Sequence, residues 1–184
     1  MKTSFESERL LFRELISSDD IAMFEMDADP AVCKYLGISP FKTLSETQSS
    51  IQNIHQQYLD HGIGRWAVIL KETNEFIGWA GIKYIKKLNG FERNYDLGYR
   101  FLKRFWGKGY GYESAQAFVD FGFDEMKLER ISAYVDVNNI ASLKILQKCG
   151  FQFVNNFMDE GDLCAWYELR NHDRRLQGSN KKLQ

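Results

Sequence analysis

The 184-residue sequence carries no excess charge of either sign: 24 lysines and arginines stand against 25 aspartates and glutamates. General nucleic-acid binding needs a basic surface, so that class is excluded and any anion site must be local. Cysteine is scarce. Cys33, Cys149 and Cys164 are too few and too scattered for a disulfide frame or a zinc site. They read as free thiols of a reducing cytoplasm, which is the expected location. His55, His61 and His172 show no metal-ligand spacing, so no metal is expected. No apolar run approaches the ~20 residues of a membrane span. Residues 1–8 lack the basic and apolar regions of a signal peptide.

What is present is core material: 44% hydrophobic residues and 15% aromatics. A chain of this length suits one domain, expected over residues 1–171, with a polar, mobile tail over 172–184. Residues 9–15 (RLLFREL) read as a first strand. Ser17 and Asp20 stand at capping-box spacing and open a short helix. Thr43 and Glu46 form a second box. Behind it Leu44, Gln48, Ile51, Ile54 and Tyr58 recur every three or four residues, an amphipathic helix to about Leu59. Residues 66–70 and 75–84 read as a hairpin, 86–94 as a polar turn around Asn89-Gly90, and 95–102 as a further strand. After a glycine-rich turn come a helix with Ala115, Phe118, Val119 and Gly122 on one side, a strand at 130–135, a helix begun by Asn139 and stopped by Gly150, and two last strands at 151–157 and 163–169. The order is β-α-α-β-β-β-α-β-α-β-β. It predicts a mixed α/β (α+β) domain, a sheet of about seven strands flanked by about four helices, with antiparallel neighbours where connections are short.

The glycine-rich turn carries the chemistry. It runs Arg104-Phe105-Trp106-Gly107-Lys108-Gly109-Tyr110-Gly111-Tyr112-Glu113, between a strand and a helix. Three glycines let the backbone turn sharply and approach a ligand. The first amides of the helix and its dipole favour an anion there, and Arg104 and Lys108 add positive charge. The pattern points to a phosphate or pyrophosphate. It is not a P-loop, because Lys108 is followed by Gly109 rather than Ser or Thr, and G-x-G-x-G is not the dinucleotide fingerprint G-x-G-x-x-G.

Arg104-x-x-Gly107-x-Gly109 resembles the Gln/Arg-x-x-Gly-x-Gly/Ala signature of the GNAT acetyltransferases. The wider run Asp96 to Glu113, Glu6-Ser7-Glu8-Arg9-Leu10…Arg13, and Asn139-x-x-Ser142…Gly150-Phe151 are similar to the RimJ/RimL-like branch. The resemblance implies the GNAT fold, a mostly antiparallel mixed sheet with helices on it. It also implies acetyl-CoA as co-substrate and direct attack of a primary amine in a ternary complex. The amine would belong to a ribosomal-type protein N-terminus or to a small molecule. A non-catalytic CoA-binding module on the same fold stays open, and the resemblance leaves room for a homodimer.

By the same resemblance, the CoA pyrophosphate would lie on Trp106, Gly107, Lys108, Gly109, Tyr110 and Gly111, with Arg104 nearby. The pantetheine arm would pair with backbone of Phe101, Leu102 and Lys103, and Asn139 and Lys144 would contact the cofactor. Asn139 reads equally as a plain helix cap, and Lys144 as a solvated lysine. Asp96 is the candidate base, with Glu92 and Glu113 as alternatives; Ser142 is the candidate acid at the sulfur, since Leu146 occupies the place where many relatives carry a tyrosine. The acceptor pocket is expected over 27–59 and near Tyr84, with Tyr35, Phe41, His55 and Tyr58 in it. An α-amine of pKa ~8 is far more often neutral at pH 7 than a lysine amine at ~10.4, so a modest base suits a low-pKa amine.

Overall fold

The computed structural model describes residues 3–174. Among them are eight strands and six helices: β1 Ser4–Glu6, β2 Leu10–Glu14, α1 Asp20–Asp27, α2 Pro30–Cys33, α3 Leu44–His61, β3 Arg65–Leu70, β4 Glu75–Leu88, β5 Phe91–Phe101, α4 Tyr110–Asp124, β6 Arg130–Asp136, α5 Ile140–Lys148, β7 Gln152–Asp159, β8 Asp162–Arg170, and a final helical turn at 171–174. Short 3₁₀ turns precede α1 and follow β5. The strands form one sheet in the order β1-β2-β3-β4-β5-β6-β8-β7. Every neighbouring pair is antiparallel except β5 and β6.

The eighth strand is β1, in a segment whose polar composition predicts no strand. It is three residues long and carries one aromatic, Phe5, too little for a visible alternation. Phe5 stacks on Phe12 and on Phe121 at 4.8 Å each, which ties the first hairpin to α4. The expected loop at 86–94 is also shorter. β4 runs to Leu88 and β5 starts at Phe91, so the turn is Asn89-Gly90 alone, with φ of 50° and 75°. Two successive positive φ values are what a two-residue hairpin turn of this twist requires, and Asn-Gly supplies them without strain.

Helix ends follow local chemistry. The Glu46 carboxylate accepts the Thr43 N–H at 2.8 Å, and Gly62 at φ 67° ends α3. At the first helix the acid that closes the turn is Asp19 rather than Asp20: its carboxylate accepts the Ile16 N–H at 2.9 Å and pairs with Arg13.

One face of the sheet is covered by α4 and α5. Ala115, Phe118, Val119 and Gly122 of α4 are buried against it, and burying a side chain such as Phe118 contributes about 1.5–3 kcal/mol. A Cβ on Gly122 would meet Ile131 at 2.7 Å and Ile82 at 2.8 Å, so glycine is what lets α4 lie this close. Cys33, Cys149 and Cys164 are buried and unlinked. Of the expected tail, residues 172–174 are described, and Arg174 pairs with Asp120 and Asp124 of α4; residues 175–184 lie outside the described part. No helix among the described residues is long and apolar enough to cross a membrane.

Candidate active site

The parallel pair β5 and β6 holds at one point. Asp96 is in register with Ser132, and beyond it residues 97–101 of β5 have no partner on β6, whose other edge pairs with β8 along its length. The two strands splay toward their C-terminal ends. Each is followed by a helix, so the N-termini of α4 and α5 meet at the open end, the usual place for a ligand beside parallel strands.

The α4 end is the glycine turn. Gly107 and Gly109 have φ of 73° and 86°, a backbone region other residues rarely enter. The first hydrogen bond into the helix runs from the Glu113 N–H to the Gly109 carbonyl. The amides of Tyr110, Gly111 and Tyr112 therefore lack helical acceptors and face the helix end. A Cβ on Gly111 would lie 3.0 Å from Ile145, 3.8 Å from Phe101 and 3.9 Å from Tyr99, so the turn abuts the splayed part of β5. The turn is fixed from behind by the first hairpin. The Glu113 carboxylate accepts from Ser7 Oγ, the Arg9 N–H and Arg9 Nε at 2.7, 2.8 and 2.7 Å. Arg9 also donates to the Lys108 carbonyl and lies over the Tyr110 ring. Burial would raise the Glu113 carboxyl, but the bonds from Ser7 and Arg9 outweigh it and hold it below the usual glutamate range. Glu113 is thus committed to structure.

The α5 end carries Asn139 as N-cap, its Oδ1 accepting the Ser142 N–H at 3.2 Å. The cap role occupies that oxygen and leaves the amide nitrogen of Asn139 for other contacts. Ser142 Oγ lies 2.8 Å from the hydroxyl of Tyr99, which reaches it from β5.

On the opposite face of the sheet, Arg65, Trp79, Lys83, Asp96 and Arg100 share a side, as the registers Arg65↔Gly81, Trp79↔Arg100, Lys83↔Asp96 and Gly81↔Gly98 require. Gly98 matters here: a Cβ would strike the Arg65 guanidinium at 2.5 Å. Without it Arg65 lies across the strand and pairs with Asp96 Oδ2, while donating to the Asp96 and Gly81 carbonyls. Asp96 is 2% exposed, and its Oδ1 has no hydrogen-bond partner among the described residues. Trp79 sits between Arg65 and Arg100, with the cations 5.3 and 5.0 Å from its ring centre. Arg100 pairs with Asp27 of α1, whose carboxyl is raised by burial against the pull of that cation. Burial and the nearby Arg65 lower the Lys83 ammonium, with Asp96 and Asp159 opposing.

A cavity of about 520 Å³ joins these parts. Its wall includes Asp96, Tyr99, Asn139 and Ser142, together with Lys83 and the loop at Tyr35. Asp159, Glu160 and Asp162 of the β7–β8 turn form part of its rim. A larger groove, about 760 Å³, runs between the first hairpin and α4; Gly109, Glu113 and Lys148 are in its lining, but it touches neither β5, with Asp96, nor Ser142.

Several expectations change in detail. Of the three acids considered as base, Asp96 lines the cavity while Glu92 and Glu113 do not. The guanidinium of Arg104 is engaged by Glu25 and Glu75, because strand β4 and helix α1 bring two carboxylates to it. It therefore adds little free charge to the turn. Lys108 and Lys103 are exposed, with Lys108 over the Phe105 ring, and Lys144 is solvated on α5. The backbone expected at 101–103 is partly spent: Trp106 Nε1 donates to the Phe101 carbonyl and the Leu102 N–H bonds Ile77. The backbone facing the opening is upstream, at 97–101. The acceptor side also differs. Tyr35 lines the cavity, whereas Tyr58 bonds the Arg65 carbonyl, His55 meets the Leu15 carbonyl, Phe41 bonds Asp27 through its N–H and Tyr84 packs on Tyr95. Tyr58 and His55 thus hold α3 to the sheet, Phe41 ties its loop to α1, and Tyr84 packs strand on strand, with its neighbours Lys83 and Ile85 in the cavity wall. Arg65, Trp79, Lys83 and Arg100 were not foreseen, because only the strand registers bring them together.

A family model for the acetyltransferase (GNAT) domain matches residues 9–152. The uncharacterized N-acetyltransferase p20 of Bacillus licheniformis is 37% identical over 147 residues, 79% of this chain and 80% of p20. A GNAT-family acetyltransferase of known structure from Bacillus anthracis superposes with a TM-score of 0.78 at 27% identity, over 92% of this chain and 99% of that one. The RimL ribosomal L7/L12 alpha-N-protein acetyltransferase in complex with coenzyme A shares the fold, with a TM-score of 0.73 at 17% identity, over 89% and 95% of the two chains. The splayed strands, the glycine turn and these matches lead to one statement: the chain belongs to the GNAT acetyltransferases.

Proposed function

We propose that the chain transfers the acetyl group of acetyl-CoA to a primary amine, by direct attack within a ternary complex. The observation that carries this reading is the opening between β5 and β6, flanked by two helix N-termini and continuous with a cavity that reaches Asp96 on the other face. The amides of Tyr110, Gly111 and Tyr112 suit a pyrophosphate. Residues 97–101 pair with β4 on one edge and have no register partner on the edge toward β6, which suits an extended, amide-bearing arm added as a strand would be.

The reaction asks the chain for four things. The acceptor amine must be held next to the thioester, which alone supplies several kcal/mol of the barrier. Its proton must find an acceptor: Asp96 is in the cavity wall, held by Arg65 through Oδ2, with Oδ1 left unpaired among the described residues. The oxyanion needs a donor, for which the amides of the splayed β5 segment are placed. The departing sulfur, with a thiol pKa of ~8.5, needs little help, and a hydrogen bond from Ser142 suffices. An amine of lowered pKa, such as a protein α-amine or an activated small-molecule amine, is more often neutral at pH 7 and asks least of the base, so it is the acceptor class. RimL's ribosomal protein is one such acceptor class; metabolite amines are the other.

The test is thiol release from acetyl-CoA against a panel of N-terminal peptides and small amines across pH 6.5–9. Faster turnover of α-amines than of lysine-like amines at pH 7 supports the reading. Equal use of both sinks the low-pKa preference, and no release with any amine sinks the function.

A further inference from the structure

We infer that Tyr99 is a positioning residue for acetyl transfer: its hydroxyl donates to Ser142 Oγ and so aims the Ser142 O–H into the cavity, at the departing sulfur. This rests on the reading of Ser142 given above.

The argument begins with who donates. Tyr99 and Ser142 hydroxyls are 2.8 Å apart, and either could be the donor by distance alone. The phenol ring is packed between β5 and α5, with Phe101 beside it. Loss of water there pushes its pKa up, so it keeps its proton through neutral pH. That proton needs an acceptor. The two within reach are Ser142 Oγ and, at 3.4 Å, the Ser142 carbonyl; the nearer is the better aligned with normal hydroxyl bonding. Tyr99 therefore donates, and the serine oxygen accepts. The serine proton is then free to point elsewhere, and Ser142 lines the cavity.

The serine is held twice. Asn139 Oδ1 takes its backbone N–H, and Tyr99 takes up its side-chain oxygen. A freely rotating hydroxyl spends much of its time in the wrong rotamer; this one is set before substrate arrives, which is the condition for a useful hydrogen bond in the transition state. The step balances without charge on either residue. The amine nitrogen bonds to the acetyl carbon, the C–S bond breaks with its electron pair on sulfur, and the amine's proton leaves to the base. Ser142 and Tyr99 stay neutral throughout. The tyrosine whose place Leu146 holds in the helix is thus answered by one from the strand, acting through the serine rather than on the sulfur.

The experiment compares wild type, Tyr99→Phe, Ser142→Ala and the double variant, each with acetyl-CoA and the best amine of the panel. Phenylalanine keeps the ring and removes only the hydroxyl. The expected result is a fall in kcat of about tenfold for Tyr99→Phe with the KM for acetyl-CoA within twofold of wild type. The double variant should be no slower than Ser142→Ala, because the tyrosine acts only through the serine. Ser142→Thr, which keeps a hydroxyl, should respond to Tyr99→Phe as the wild type does. A kcat for Tyr99→Phe within twofold of wild type while Ser142→Ala is impaired overturns the inference and leaves the reading of Ser142 standing. Multiplying defects in the double variant also overturn it. An unimpaired Ser142→Ala overturns the reading of Ser142 itself.

Discussion

Replacing Arg65 by methionine would leave Asp96 without its cation. Both side chains are almost wholly enclosed, with 9% of the arginine and 3% of the aspartate side chain exposed. The arginine also satisfies the carbonyls of Gly81 and Asp96 and packs on Trp79. Removing one partner of a buried ion pair costs about 3–5 kcal/mol, since the remaining charge stays desolvated. That is a large share of the 5–15 kcal/mol that holds an ordinary domain. Equilibrium urea denaturation at pH 7 would read it as a lower midpoint with an unchanged slope. The second variant supplies the control. Arg65→Met with Asp96→Asn replaces the orphaned charge by a neutral amide and should recover more than half of the lost stability. The same double variant should show no recovery of acetyl transfer, because Asp96 is also the proposed proton acceptor. A loss under about 1 kcal/mol for Arg65→Met, or no recovery with Asp96→Asn, would refute the claim that this pair is a buried, mutually dependent unit.

Three further outcomes follow from the geometry. Gly111→Val puts a branched side chain against Ile145 and Phe101 at the mouth of the opening; it should raise the KM for acetyl-CoA at least tenfold while the circular dichroism spectrum stays native, and an unchanged KM would place the cofactor elsewhere. Glu113→Gln should destabilise the chain by about 1–2 kcal/mol at pH 7, discounted for the partly exposed Arg9. Because the Glu113 carboxyl titrates low in the folded chain, its contribution is whole above the ordinary glutamate pKa of about 4.3 and fades as pH falls through the lowered folded value. The stability gap between wild type and Glu113→Gln, followed by thermal melts from pH 7 to pH 3, should therefore close toward the acid end; a gap that widens there would contradict the assignment.

The elements with strong local signals were legible before the fold was known. The Thr43–Glu46 box and the stripe of Ile51, Ile54 and Tyr58 define α3 from sequence to within a turn of its end at His61. The glycine turn announced an anion site because φ near +80° and a helix N-terminus are both written in the residues at 107–111. What stayed hidden depends on pairing between distant segments. The register Lys83↔Asp96, the cation–ring stack of Arg65, Trp79 and Arg100, and the Tyr99–Ser142 bond join residues 13 to 43 positions apart in the chain, and no periodicity reports them. Arg104 shows the converse: its place in the motif suggested a free cation, but Glu25 and Glu75 arrive from other elements and claim it. Strand β1 was missed for want of length rather than of signal type, since Phe5 alone cannot show an alternation.

The central claim is that the acetyl donor lies in the opening between β5 and β6 with its phosphates on the turn before α4. Hydrogen–deuterium exchange with and without acetyl-CoA tests it most directly. The account predicts slowed exchange in peptides covering 97–101 and 107–112, with residues 5–9 and 116–125, which line the rest of the groove between the first hairpin and α4, unchanged. Protection confined to residues 5–9 and 116–125, or none at residues 97–101, would contradict it.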